Sequence, residues 1–202
     1  MDDIKVILFD MGGVIFELFG AAKLLEWMDR DDIGIDDVNH MWSNSHAVAI
    51  HESGKCAPEE FAKAIISEMK LKVSKEEFLK EFIYFPKCFY KGAEELLISV
   101  SKKYITASFS NTNEIQWNRL NREFKIEKYF KKNYLSYRIG LMKPNKEFYE
   151  YIINDIGYKP SQIMFFDDNE ANVDMGNKVE INSYRVFGTE GLKEKLKELN
   201  LL

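Results

Sequence analysis

Cysteine is nearly absent from this chain. Cys56 and Cys88 are the only two, far apart and in no Cys-x-x-Cys pattern. That argues against a disulfide framework and against thiol-based zinc or redox chemistry, and it suits two reduced, packed thiols. Long apolar runs are missing as well. No stretch approaches the roughly 20 apolar residues that span a bilayer, so no membrane role is expected. Basic tracts are also lacking, and a net charge of −5 argues against nucleic acid as a partner. The first residues, Met1-Asp2-Asp3-Ile4-Lys5, are acidic and lead straight into an apolar run, unlike a signal peptide. A cytoplasmic location is expected. Repeats and low-complexity tracts do not occur.

What the chain does have is apolar content, 46% over 202 residues, enough for one medium domain or for a core with an insert. The β-prone run Val6–Phe9 stops at Asp10, and Gly12 and Gly13 follow at once. Such a run reads as a buried central strand of a parallel sheet. Residues 18–84 then look wholly helical, with candidate helices at 20–31, 36–50, 58–70 and 74–84. Ser74 with Glu77 forms a capping box, and Pro58 with Glu59 and Glu60 suits a first helical turn. From residue 91 helix and strand alternate. Helices are expected at 91–102, 113–124, 145–156, 170–178 and 189–199, and strands at Tyr104–Phe109, Tyr134–Leu135, Gln162–Phe166 and Ser183–Phe187. That alternation implies an α/β fold, a doubly wound parallel sheet with helices on both faces, carrying an all-helical insertion after the first strand.

Ligands in such sheets bind beyond the carboxyl ends of the strands. Four candidate elements sit there. Asp10 can be a covalent nucleophile, a metal ligand or a simple cap. Ser110, with Asn111, Thr112 and Asn113 before a helix, can bind an anion or merely cap that helix. Lys143, before Pro144, can neutralise a phosphate and a carboxylate together, or sit on the surface. The adjacent acids Asp167 and Asp168 repel each other unless a cation lies between them. With Asp10 they make three carboxylates near one sheet edge, a donor set suited to Mg²⁺.

In this order and on these elements, the motifs resemble the haloacid dehalogenase-like hydrolase superfamily, and the resemblance spans the chain. It implies a Rossmann-like core over residues 1–16 and 87–202 with a helical cap over 17–86. It also implies a phosphatase that transfers a phosphoryl group from a small phosphorylated metabolite to Asp10. Ser110 and Lys143 would complete the catalytic set. Mg²⁺ would be held by Asp10, the Gly12 carbonyl and Asp168, with Asp167 close by, and Gly12, Asn111 and Thr112 would line the substrate. The stretches Ser110–Asn113, Gly140–Pro144 and Phe165–Asn169 are similar to one branch, which includes bacterial α-D-glucose-1-phosphate phosphatases. His51-Glu52-Ser53-Gly54 resembles that branch's Glu-x-Gly stretch, so a sugar 1-phosphate is the suggested substrate.

One position departs from the pattern. Phosphatases of this superfamily usually carry a second Asp two residues after the nucleophile, which protonates the leaving group. Here it is Gly12. General acid–base help is worth roughly 10²–10⁴-fold in rate. An easy leaving group, a water, or a cap residue such as His51 or Glu52 can compensate. The plainer readings, an exposed Glu and an ordinary helix-end His, are favoured for those two. The departure keeps two alternatives open: a metal-independent 2-haloacid dehalogenase, and a non-catalytic ligand-binding member.

Overall fold

Side chains alternate across a strand, and the central strand of this protein buries both faces. In the computed structural model, which describes residues 3–202, β1 (Val6–Phe9) is fully buried. Ile7 and Phe9 enter one apolar cluster, and Val6 and Leu8 enter another on the opposite face. The chain continues through β2 (Phe16–Leu18), α1 (Gly20–Met28), α2 (Ile35–Ser43), α3 (His46–Glu52), α4 (Pro58–Glu68), α5 (Lys75–Phe82) and β3 (Pro86–Phe89). Then come α6 (Ala93–Ser101), β4 (Ile105–Ser110), α7 (Glu114–Phe124), β5 (Lys132–Leu135), α8 (Ser136–Ile139), α9 (Lys146–Ile156), β6 (Ile163–Asp167), α10 (Glu170–Lys178), β7 (Asn182–Arg185) and α11 (Gly188–Glu198).

Strands β5-β4-β1-β6-β7 form one parallel sheet in that order. The chain winds outward from β1 through β4 to β5, then crosses back to β6 and β7 on the other side. That reversal opens a crevice at the carboxyl ends of β1, β4 and β6. Side chains from α6, α7 and α11 cover one face of the sheet, and those from α9 cover the other. The α/β fold is thus as the sequence predicts.

A separate apolar cluster fills the helical segment α1–α5. Its centre is aromatic: Trp27, Phe61, Phe78, Phe82 and Phe85 pack together, with Trp42 against Phe61 at 6.1 Å and near right angles. Helix starts here follow local chemistry. The Ser74 hydroxyl accepts the Glu77 N–H, and the Glu60 carboxylate accepts the Ala57 N–H.

Two expectations need correction. The helix predicted over 36–50 is two helices, because the Ser45 hydroxyl accepts the Val48 N–H and starts a new one. The run Ser43-Asn44-Ser45 carried that signal, since such residues favour caps over helix interiors. The sequence reading also missed β2 and β3, which pair antiparallel, with Phe16 stacked on Phe89 at 4.5 Å. Strands this short have no readable alternation, and their partners lie some seventy residues apart in sequence. This ribbon carries the chain out to the helical segment and back. Residues 17 and 86, the limits predicted for the cap, fall within it.

The return crossing is clamped to the core. Arg119 of α7 is buried and donates to the carbonyls of Pro86 and Lys87 (2.8 Å to the latter), while Gln116 donates to the Phe82 carbonyl at 2.9 Å. Among the described residues no helix is long and apolar enough to cross a membrane.

Phe61 is almost fully buried among Trp42, His51, Phe78 and Phe82. Phe61→Ala is expected to cost about 3–5 kcal/mol, read as a lower midpoint in urea unfolding. A loss below about 1 kcal/mol would mean that this cluster repacks freely.

Candidate active site

The ends of β1, β4 and β6 deliver polar side chains to the crevice. Asp10 follows β1, and its amide still pairs with the Phe166 carbonyl at 2.9 Å. Ser110 ends β4 and Asp167 ends β6. Lys143 comes from the loop between α8 and α9 and is buried.

The centre of the site is the Lys143 ammonium. It donates to Asp10 Oδ1 at 2.6 Å, to Asp167 Oδ2 at 2.6 Å and to the Phe109 carbonyl at 2.8 Å. It also lies over the rings of Phe109 and Phe165. An ammonium has three N–H donors, so all three are used. Lys143 therefore joins the nucleophile candidate to the acid pair, and a phosphate oxygen would have to take over one of these bonds to reach it directly.

Asn111 sets the lysine in place. Its side chain donates to the Lys143 carbonyl and accepts the Lys143 N–H, both at 2.9 Å. The resemblance sets Asn111 along the substrate, and Asn111 lines the cleft; its side chain also clamps the lysine backbone. Thr112 lines the cleft, but its N–H is held by the Ser136 hydroxyl at 2.9 Å, and that hydroxyl donates back to the Thr112 carbonyl. Ser110 is buried at the cleft wall, its hydroxyl 3.3 Å from the Asn111 carbonyl.

Asp167 is fully buried and well supplied with donors. Besides Lys143 it accepts two bonds from the Asn172 amide (3.0 and 3.1 Å) and one from the Asn169 N–H at 2.8 Å. Tyr149 in turn holds the Asn172 carbonyl at 2.8 Å. Asp168 is less enclosed and lies against Gly13, whose φ is +74°. A Cβ at Gly13 would overlap the Asp168 carboxylate, so the site requires glycine there twice over. A Cβ at Gly12 would come 3.0 Å from the flexible, exposed Leu18 side chain, a contact that can give way.

Asp10, Asp167 and Asp168 offer oxygens that all lie within 4.8 Å of one another. Three carboxylates and one ammonium leave two negative charges without partners, and a hard divalent cation matches that deficit and the oxygen donors. The electrostatics agree. Burial pushes Asp10 up to about 8 against the pull of Lys143, with Asp167 and Asp168 adding to the rise. Burial, with Asp167 beside it, pushes Asp168 up to about 6.

The cleft holds about 990 Å³ between the sheet edge and the helical segment. Its far wall includes Leu24, Val38, Trp42, Val48 and Phe85, and Glu52 enters it from the end of α3. Glu52 is half-buried rather than exposed, and burial pushes its carboxyl up to about 7, with the Lys143 charge opposing. His51 points elsewhere: its ring stacks on Phe61 at 4.2 Å, and burial lowers its pKa.

Two predictions follow from this charge balance. Lys143→Met leaves buried carboxylates without their cation and is expected to cost about 3–5 kcal/mol at pH 7.5, measured by urea unfolding. The raised carboxyls mean that the metal-free folded state keeps protons which the unfolded chain has released near pH 4. Their contribution to stability is complete below that pH and is lost as pH rises through about 6 to about 8. With chelator present, Tm should fall between pH 5 and pH 8, and Mg²⁺ should raise Tm more at pH 8 than at pH 5. A Tm gain from Mg²⁺ that is equal at both pH values would contradict the assignment.

Comparison with known proteins agrees with this geometry. The model of the haloacid dehalogenase-like hydrolase family matches residues 4–180. A D-ribitol-5-phosphate phosphatase of Bacteroides thetaiotaomicron is 27% identical over 192 residues, covering 90% of this chain and 91% of that protein. A crystal structure of a family enzyme from the same organism, in complex with magnesium and inorganic phosphate, superposes with a TM-score of 0.74. It is 28% identical and covers 91% of this chain and 94% of its own. The L-2-haloacid dehalogenase of Xanthobacter autotrophicus shares the fold, with a TM-score of 0.65, 15% identity and coverage of 98% and 84%. With a family model spanning most of its length, this chain belongs to the haloacid dehalogenase-like hydrolases.

Proposed function

We propose that this protein is a Mg²⁺-dependent phosphatase that hydrolyses a small phosphorylated metabolite, a sugar or polyol phosphate, through an aspartyl phosphate on Asp10. The observation that carries the reading is the trio of carboxylates around one buried lysine at the sheet's switch point. A metal-free dehalogenase has no use for the extra acids Asp167 and Asp168, and a non-catalytic member has no use for a lysine spanning Asp10 and Asp167. The phosphatase relative named for a polyol phosphate supports the substrate class. The stretch Ser110–Asn113 supports the narrower suggestion of a sugar 1-phosphate, through its likeness to that branch.

Asp10 and Asp168, with the Gly12 carbonyl, would hold the cation, and Asp167 would stand behind them, already engaged by Lys143 and Asn172. Bound there, Mg²⁺ supplies charge neutralisation for the phosphoryl oxygens. Lys143 keeps Asp10 oriented and lowers the repulsion that an arriving phosphate meets. The Ser110 hydroxyl would contact a phosphoryl oxygen. Asp10 attacks phosphorus in line and the ester oxygen leaves with the bonding pair. Water then attacks the aspartyl phosphate, releasing phosphate and restoring the carboxylate. The helical segment over the cleft limits water access and contacts the leaving group.

The test is hydrolysis of para-nitrophenyl phosphate, whose leaving group needs little protonation. Wild type should turn it over with Mg²⁺, and both chelation and Asp10→Asn should lower the rate at least about a thousandfold, although this leaving group needs no general acid. Full activity in Asp10→Asn would rule out the covalent step, and halide release from a 2-haloacid without metal would favour the dehalogenase reading.

A further inference from the structure

Gly12 leaves the site without a carboxyl on the nucleophile's own loop, and the structure offers one from the opposite side. Helix α3 ends in a turn that docks on the core. The Gly54 N–H bonds the His51 carbonyl and the Lys55 N–H bonds the Ile50 carbonyl, which closes the helix with Gly54 at φ +71°. A Cβ at Gly54 would collide with the Tyr137 carbonyl of α8, so the turn rests directly on the short helix that follows β5. Glu52 lies two residues before that contact and is carried into the cleft, where it lines the same cavity as Asp10, Ser110 and Lys143.

We propose that Glu52 is the general acid and base of this enzyme, protonating the leaving oxygen from the cap side in place of the carboxyl that position 12 lacks. The inference rests on the phosphatase reading above. In an in-line displacement the leaving oxygen departs on the face of phosphorus away from Asp10. That face is turned towards the helical segment, which is where Glu52 stands. Its carboxyl has no hydrogen-bond partner among the described residues, so its proton is not committed elsewhere. Burial holds it protonated near neutrality, as an acid catalyst must be. The proton passes from Glu52 to the ester oxygen as the P–O bond breaks. The resulting carboxylate then takes a proton from the water that attacks the aspartyl phosphate, which resets Glu52. Ester and water are consumed, and alcohol and phosphate are formed. His51 cannot share this role, since its ring is stacked within the aromatic cluster on Phe61.

The experiment compares leaving groups. Wild type, Glu52→Gln and the double variant Glu52→Gln/Gly12→Asp are assayed with Mg²⁺ on para-nitrophenyl phosphate, on phenyl phosphate and on an alkyl phosphate such as glycerol 3-phosphate. Thermal melts run in parallel. Glu52→Gln should lower kcat/KM, which reports the transfer to Asp10 and not the later hydrolysis common to all esters, by roughly 10²–10⁴-fold on the alkyl ester and by less than about tenfold on para-nitrophenyl phosphate. The slope of log kcat/KM against leaving-group pKa should steepen. Gly12→Asp should recover part of the alkyl activity, because the nearest atoms to a Cβ there belong to the exposed Leu18 side chain. Equal losses of kcat/KM on all three esters would overturn the proposal and make Glu52 a binding or packing residue, as would no loss on any. A wild type inert towards para-nitrophenyl phosphate would instead overturn the phosphatase reading itself, and this proposal with it.

Discussion

A single buried ammonium organises this molecule. Lys143 has three donors and three acceptors around it, two of them carboxylates on different strands. Burying such a charge is costly unless every donor is matched, and here each one is. The arrangement demands the sheet order. β1 and β6 must be neighbours in register, Phe9 beside Phe166, for Asp10 and Asp167 to fall within reach of one nitrogen. β4 must flank β1 on the other side for the Phe109 carbonyl to be the third acceptor. The site is therefore not decoration on a finished fold, since its central bonds cross between non-consecutive strands.

The lysine still leaves the carboxylates in excess. Burial and mutual repulsion drive Asp10 and Asp168 towards their protonated forms, a condition that suits neither nucleophilic attack nor ligation. A divalent cation among these carboxylates would remove the excess and favour ionised Asp10, and a family neighbour crystallised with magnesium and phosphate fits that logic. The chemistry and the stability of this site thus depend on the same charge balance.

Much of this was legible in the sequence. Buried runs ending at Asp10, Ser110 and Asp167 gave away the strands and the sheet edge, because parallel strands buried on both faces read as continuous apolar runs. The helical segment was visible as a long stretch without strand character. What escaped was non-local. The β2–β3 ribbon depends on a pairing between distant three- and four-residue segments. The clamp of the Asn111 side chain on the Lys143 backbone and that of Asn172 on the Asp167 carboxylate join residues that no spacing rule connects. Glu52 was misjudged as exposed because nothing local tells that its helix end rests on Tyr137.

The hold of α7 on the return crossing has a mechanical meaning. Asn113 closes the loop that follows Ser110, and its side chain grips Gln116 through both amide atoms. Gln116 grips the Phe82 carbonyl at the last turn of α5, and Arg119 grips the two carbonyls beyond it. One helix thus works as a lever, with the loop after Ser110 at its near end and the root of the aromatic helical segment at its far end. A tilt of that segment would pull on these bonds and, through Gln116 and Asn113, on the loop that follows Ser110. The footing of the helical segment and the Ser110 wall of the cleft are in this way one connected run of hydrogen bonds.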